Sequence, residues 1–120
     1  MWKKFKNALR CSNRSINKND INIEELQKMK LSGAIVVDVR SPQEYNEGHI
    51  ENAISIPEYE LYLRAKRQLL NKDRAIIVYC STGHRSKKAQ KELCKMGYTQ
   101  VYNLYNGLEN YWDFKNSMLK

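Results

Sequence analysis

The sequence predicts an α/β fold: a mostly parallel sheet with helices on both faces. Three observations point to this class. Two short apolar runs, Ala34 to Val39 and Ile76 to Tyr79, are rich in β-branched residues and read as strands buried on both sides. Helical patterns alternate with these runs, which is the order of βα units. The chain has 120 residues and 14.2 kDa, enough for one domain and too little for an enzyme that binds substrate between two.

In chain order, Asn22 followed by Ile23, Glu24, Glu25, Leu26 and Met29 reads as a capped helix. Glu25 stands at the third position after Asn22 and closes a capping box, and Gly33 ends the helix. Ala34 to Val39 then forms a central strand that contains one acid, Asp38. Ser41-Pro42 opens a short turn or helix through Tyr45, stopped by Gly48; His49 to Ile56 offers a short extended piece ending at Pro57. Leu61, Ala65 and Leu69 recur every fourth residue, so 58–70 is expected to be an amphipathic helix with Arg64, Lys66, Arg67 and Gln68 toward water. After the strand Ile76 to Tyr79, a helix is expected over Ser86 to Met96, with Ala89, Leu93 and Met96 inward and Gly97 as a left-handed cap. Val101 to Leu104 reads as a last strand, and Leu108, Tyr111, Trp112 and Leu119 as the stripe of a closing helix. Tyr102, Tyr105, Tyr111 and Trp112 are read as mixed core and groove wall. No repeat or low-complexity tract occurs.

Charge divides the chain in two. Lys and Arg number 21 against 13 Asp and Glu, a formal net charge of +8. Residues 1–18 hold six of the bases and no acid, whereas residues 19–120 hold 15 bases and 13 acids. The expected organisation is a basic extension over 1–18 and one folded domain over 19–120. Within the extension, Trp2, Phe5 and Leu9 lie at roughly helical spacing among Lys3, Lys4, Lys6 and Arg10. Three readings stay open: a solvated terminus, a short interfacial helix for anionic membranes, and an arm that meets nucleic acid or an acidic protein. It lacks the apolar stretch of a secretory signal. Three cysteines without a CxxC pair and two histidines exclude a disulfide scaffold and a cysteine-rich zinc site, and no 18-residue apolar run is present. A monomeric protein of the reducing cytoplasm is expected, with peripheral membrane attachment through the arm as the alternative. Neither metal nor cofactor is expected.

The candidate chemistry concentrates in IIVYCSTGHRS, residues 76–86. Ligands of open α/β sheets bind beyond the C-terminal ends of the strands, and Cys80 stands at such an end. If Ser81 to Ser86 curls around the sulfur, its N–H groups join the unpaired amides of the following helix in an anion cradle that lowers the thiol pKa. Gly83 allows the tight loop; Ser81, Thr82 and Ser86 add hydroxyls, and Arg85 a permanent cation. The pattern fits a thiolate attacking an anionic substrate, and it also fits a cysteine that is only a small buried hydrophobe. Cys94 lies mid-helix and is read as structural; Cys11, in the basic arm, has no cradle. His84 is read as shaping the pocket mouth rather than as a base, because a thiolate held by amides needs none. His49 is read as a hydrogen-bonding structural residue. Asp38 must be paired or hydrogen bonded where it is buried, and such residues organise neighbouring loops. Arg40 and Glu44 follow near the same end of the sheet, and Glu44 is a candidate partner for Arg85.

VVDVRSPQEYNEGHIENAISIP at 36–57, IIVYCSTGHRS at 76–86 and GYTQVYNLYNGLENYW at 97–112, in this order, resemble a single-domain rhodanese from Ile21 to about Trp112. The resemblance implies a five-stranded parallel sheet flanked by helices. It also implies that Cys80 takes a sulfane sulfur from thiosulfate or another donor, carries it as a persulfide, and passes it to a thiol, cyanide or protein acceptor, with Cys80 through Ser86 as the cradle. Four residues separate Cys80 from Arg85, as in sulfurtransferases; the cell-cycle phosphatases and arsenate reductases of the superfamily have a longer loop, so those activities are disfavoured. In those phosphatases the acid of the EY pair orients the motif arginine, which supports pairing Glu44 with Arg85. An inactive binding module is the alternative, but such modules commonly lack the cysteine. Many members have Gly-Gly where this chain has Asn106-Gly107; Asn tolerates left-handed backbone, so the turn is expected to persist.

Overall fold

Five parallel strands lie in the order β1-β5-β4-β2-β3: β1 Asp20–Ile21, β2 Ile35–Asp38, β3 Ile54–Ser55, β4 Ile76–Tyr79 and β5 Val101–Leu104. They are joined by α1 Ile23–Leu31, α2 Pro42–Glu47, a 3-10 turn Glu58–Glu60, α3 Leu61–Gln68 and α4 His84–Lys95, and α5 Gly107–Met118 follows β5. The structure is a computed structural model that describes residues 19–118. The basic extension over 1–18, with Cys11, and Leu119 of the closing stripe lie outside the described residues.

Alternation along the strands divides the interior. Val37, Ile76, Val78 and Cys80 point to one face, where Leu61, Ala65 and Leu69 of the α3 region and Ala89 and Leu93 of α4 cover them. Val36, Ile77 and Tyr79 point to the other, against Ile23 and Leu26 of α1 and Leu108 and Tyr111 of α5. Burying one such Leu or Ile side chain contributes about 2 kcal/mol, which is why continuous apolar runs serve as the central strands. Cys94 packs half-buried against the first of these clusters, and so does Met96.

Capping sets the helix starts. The Asn22 side chain accepts from Glu25 N–H at 2.8 Å while Glu25 Oε1 accepts from Asn22 N–H at 3.0 Å. Ser41 and Glu44 repeat this box at α2, with Pro42 in the first turn. Two expected helices differ in their bounds. The segment 58–70 divides into the 3-10 turn and the shorter α3, because the Glu58 N–H is drawn to Val39 C=O, which ties the turn to the end of β2. The helix expected from Ser86 starts earlier, at His84, because Gly83 with φ 103° already serves as its N-cap. Among the aromatics expected as core and groove wall, Tyr111 is buried and Tyr102 half-buried, whereas Tyr105 and Trp112 are exposed.

Charge is also sorted by layer. Residues 58–97, which include α3 and α4, carry ten bases and four acids, and the other described residues carry four bases and nine acids. The small net charge of the folded domain therefore conceals a basic layer opposite an acidic one.

Candidate active site

Strand β4 delivers Cys80 to its C-terminal end, where the residue is 1% exposed. The chain turns sharply through Ser81, Thr82 and Gly83 and re-enters as α4. The first amides of a helix have no partner within it, and a Ser, Thr or Asp side chain at the N-cap usually accepts one. Gly83 has no such side chain, and the sulfur takes that place: Gly83 N–H and Ser86 N–H donate to Cys80 Sγ at 3.1 and 3.4 Å. Ser86 Oγ lies a further 3.4 Å from Sγ. Burial pushes the thiol pKa up, but the Ser86 hydroxyl and the Ser86, Gly83 and Thr82 amides outweigh it and hold it below the ordinary cysteine value.

The carbonyl side of the loop is fixed by α5. Leu108 N–H donates to Cys80 C=O at 2.8 Å, and Glu109 N–H to Ser81 C=O at 3.3 Å. This approach requires Gly107, since a Cβ there would lie 2.6 Å from Ser81 O. Asn106 and Gly107 have φ of 59° and 58°, so the left-handed turn is present with Asn at its first position.

Arg85 leaves the first turn of α4 and meets Glu44 of α2 in a two-pronged ion pair, Nη1 to Oε1 at 2.9 Å and Nη2 to Oε2 at 3.0 Å. The contact lowers the Glu44 carboxyl pKa to about 2 and raises that of the guanidinium. Thr82 and His84 are exposed at the mouth, with Thr82 Oγ1 and His84 Nδ1 3.2 Å apart, and Ser81 is half-buried.

Asp38 and Arg40 are not brought to the sulfur. They close a buried network on the opposite face of the sheet: Arg40 Nη2 donates to Asp38 Oδ2 at 2.7 Å and to Gly48 C=O at 2.6 Å, and Tyr79 Oη donates to Asp38 Oδ2 at 2.8 Å. Tyr79 Oη accepts from Ile50 N–H at 3.0 Å, so this cluster ties the segment after β2 to β4. Burial and the nearby Asp38 carboxylate raise the Tyr79 phenol pKa, so this group stays protonated. His49 stacks on Tyr45 at 3.7 Å between ring centroids, with Nδ1 2.9 Å from Tyr45 O. Sequence reasoning missed Asn103 and Asp20: Ser86 Oγ donates to Asn103 Oδ1, and Asn103 Nδ2 to Asp20 Oδ1. An amide inside an apolar strand was the available clue, of the same kind as Asp38. Among the described residues, no three His, Cys, Asp or Glu side chains gather as metal ligands, and no helix is long and apolar enough to cross a membrane.

Fold and site together define a parallel α/β domain with a cysteine held in an amide loop at the end of its middle strand. The chain belongs to the family of rhodanese-like domains, whose model matches residues 22–113. Thiosulfate sulfurtransferase PspE of Escherichia coli (strain K12) is 39% identical over 67 residues, 56% of this chain and 64% of that protein. The chain thus matches just under two thirds of that relative's length. A sulfurtransferase of Allochromatium vinosum is 33% identical over 92 residues, covering 75% of this chain and 84% of the relative. Among solved structures, reduced Bacillus anthracis CoADR-RHD superposes with a TM-score of 0.74 at 28% identity, over 82% of this chain and 17% of that one.

Proposed function

We propose that this protein is a sulfurtransferase with Cys80 as its nucleophile. The observation that carries the reading is the convergence of the Gly83 and Ser86 amides on a buried Cys80 sulfur at 3.1 and 3.4 Å. Fixed dipoles of this kind favour a thiolate before substrate arrives, and afterwards favour the negative charge of a bound persulfide. The relatives named for thiosulfate and sulfur transfer support the same class.

With thiosulfate as donor, the Cys80 thiolate attacks the outer, sulfane sulfur. A sulfur–sulfur bond forms to Sγ, the bond to the sulfonate sulfur breaks, and its electron pair leaves on sulfite. A thiolate, cyanide or a protein thiol then attacks the outer sulfur of the persulfide, and Cys80 leaves again as thiolate. Sulfite and the Cys80 thiolate are stable anions, so neither step demands a general acid, and His84 has no required proton to move. The loop from Ser81 to Ser86 supplies the cradle, and the Glu44 contact holds Arg85 at its edge. Asp38 and Arg40 act from behind the sheet as positioning residues. The short loop and the engaged Arg85 disfavour phosphatase and arsenate reductase chemistry.

Intact-mass measurement after thiosulfate treatment tests the reading. The expected result is a gain of one sulfur atom, mapped to Cys80 and absent from Cys80→Ser. A Cys80→Ser protein that still gains and transfers sulfur contradicts it, and a wild-type protein loaded by no donor favours a binding module.

A further inference from the structure

One buried hydroxyl lies between two groups that can both claim its proton. Ser86 is 0% exposed, and its Oγ is 3.4 Å from Cys80 Sγ and 2.5 Å from Asn103 Oδ1. A serine hydroxyl has a single proton to donate. Asn103, 2% exposed on β5, donates from Nδ2 to Asp20 Oδ1 at 3.2 Å, and Lys87 Nζ holds the other oxygen of Asp20 at 3.2 Å. A carboxylate only accepts, so Asp20 keeps the NH₂ of Asn103 turned toward itself and the amide oxygen turned toward Ser86.

We infer that Asn103, oriented by Asp20, competes with the Cys80 sulfur for the Ser86 proton and so acts as a positioning residue that tunes formation of the thiolate. In the thiol state every group is satisfied: Cys80 S–H donates to Ser86 Oγ, and Ser86 O–H donates to Asn103 Oδ1. When the sulfur loses its proton to solvent, the Ser86 hydroxyl must turn to reach the thiolate, leaving a buried amide oxygen without its donor, which is costly. On the reading of Cys80 as sulfur carrier, the consequence extends to turnover. Once Sγ is the inner, uncharged sulfur of a persulfide it makes no claim on this proton, and the bond to Asn103 is restored. Asn103 thus disfavours the bare thiolate relative to the loaded protein.

Other charged groups stand around this site: Arg85 of α4, whose guanidinium interacts with Cys80, Glu44 of α2 and Glu58 of the 3-10 turn, which act on Arg85, and Lys87 of α4, paired with Asp20 of β1. The neutral change Asn103→Ala removes none of these charges; it takes one donor from Asp20, which the Ser86→Ala background controls for. The test is the pH dependence of iodoacetamide alkylation at Cys80, followed by peptide mass in the full-length protein without any sulfur donor, so failure to load sulfur leaves it readable. Asn103→Ala is expected to lower the midpoint by about one pKa unit, on the order of tenfold in rate below it. In a Ser86→Ala background the same change is expected to shift nothing. A midpoint that stays or rises in folded Asn103→Ala, or an equal shift in both backgrounds, overturns the inference. If Asn103→Ala does not fold, Asp20→Asn decides. A larger downward shift with Ser86 present than absent supports the inference, and equal shifts, as expected from loss of charge alone, overturn it.

Discussion

Gly107 is the residue whose missing side chain matters most to the site. The Cys80 and Ser81 backbone occupies the space a Cβ would need, with Ser81 C 2.7 Å from the position it would take, and φ is +58°. Backbone cannot swing aside as a side chain does, so the loop after Cys80 must itself move. Gly107→Ala is expected to destabilise the fold by about 2 kcal/mol or more, read by urea denaturation, and to slow alkylation of Cys80 as the amides lose their aim. Unchanged stability and alkylation would show that the loop does not depend on this approach. The neighbouring Asn106 is also left-handed, with φ 59°, a backbone that Asn tolerates, so the turn expected from the family resemblance persists without a second glycine.

Between elements, Glu44 and Arg85 strap α2 to the start of α4. The folded-state pKa of Glu44 is depressed to about 2, so its contribution is fully present above the ordinary carboxylate range and is lost as pH falls through about 2. Glu44→Gln is expected to be less stable than wild type at neutral pH, the difference closing as the solution is acidified, by thermal melts across acidic pH. With the partners 41% and 32% exposed, solvent screening keeps the effect small. A difference independent of pH would assign it to packing. Elements that announce themselves by period or side-chain caps were legible: α1 through Asn22 and Glu25, β2 and β4 through unbroken apolar runs. Strands of two residues have no period to read, so β1 escaped and β3 appeared only within a longer extended piece. The start of α4 was hidden because its cap is a glycine and its third amide is answered by a sulfur, not by a capping side chain.

For the whole molecule, fold class followed from two buried strands alternating with helices, and the loop of the candidate site was legible because it is local in sequence, from Cys80 through Ser86. Contacts across the sheet were less so. Glu44 and Arg85 were matched because both lie near strand ends on one side, whereas Asn103 meets Asp20 across 83 positions through a strand that was not recognised. Net charge misled in a similar way, since the nearly neutral domain separates into a basic layer around α3 and α4 and an acidic remainder only once folded. Under the proposed function, sulfur resides covalently on Cys80 between donor and acceptor. The most direct measurement loads the protein with thiosulfate, removes all free donor, and adds cyanide while following intact mass and thiocyanate. The expected result is loss of one sulfur atom from Cys80 and one thiocyanate per loaded chain. Thiocyanate that forms only while free thiosulfate remains, with Cys80 never carrying the sulfur, would contradict it.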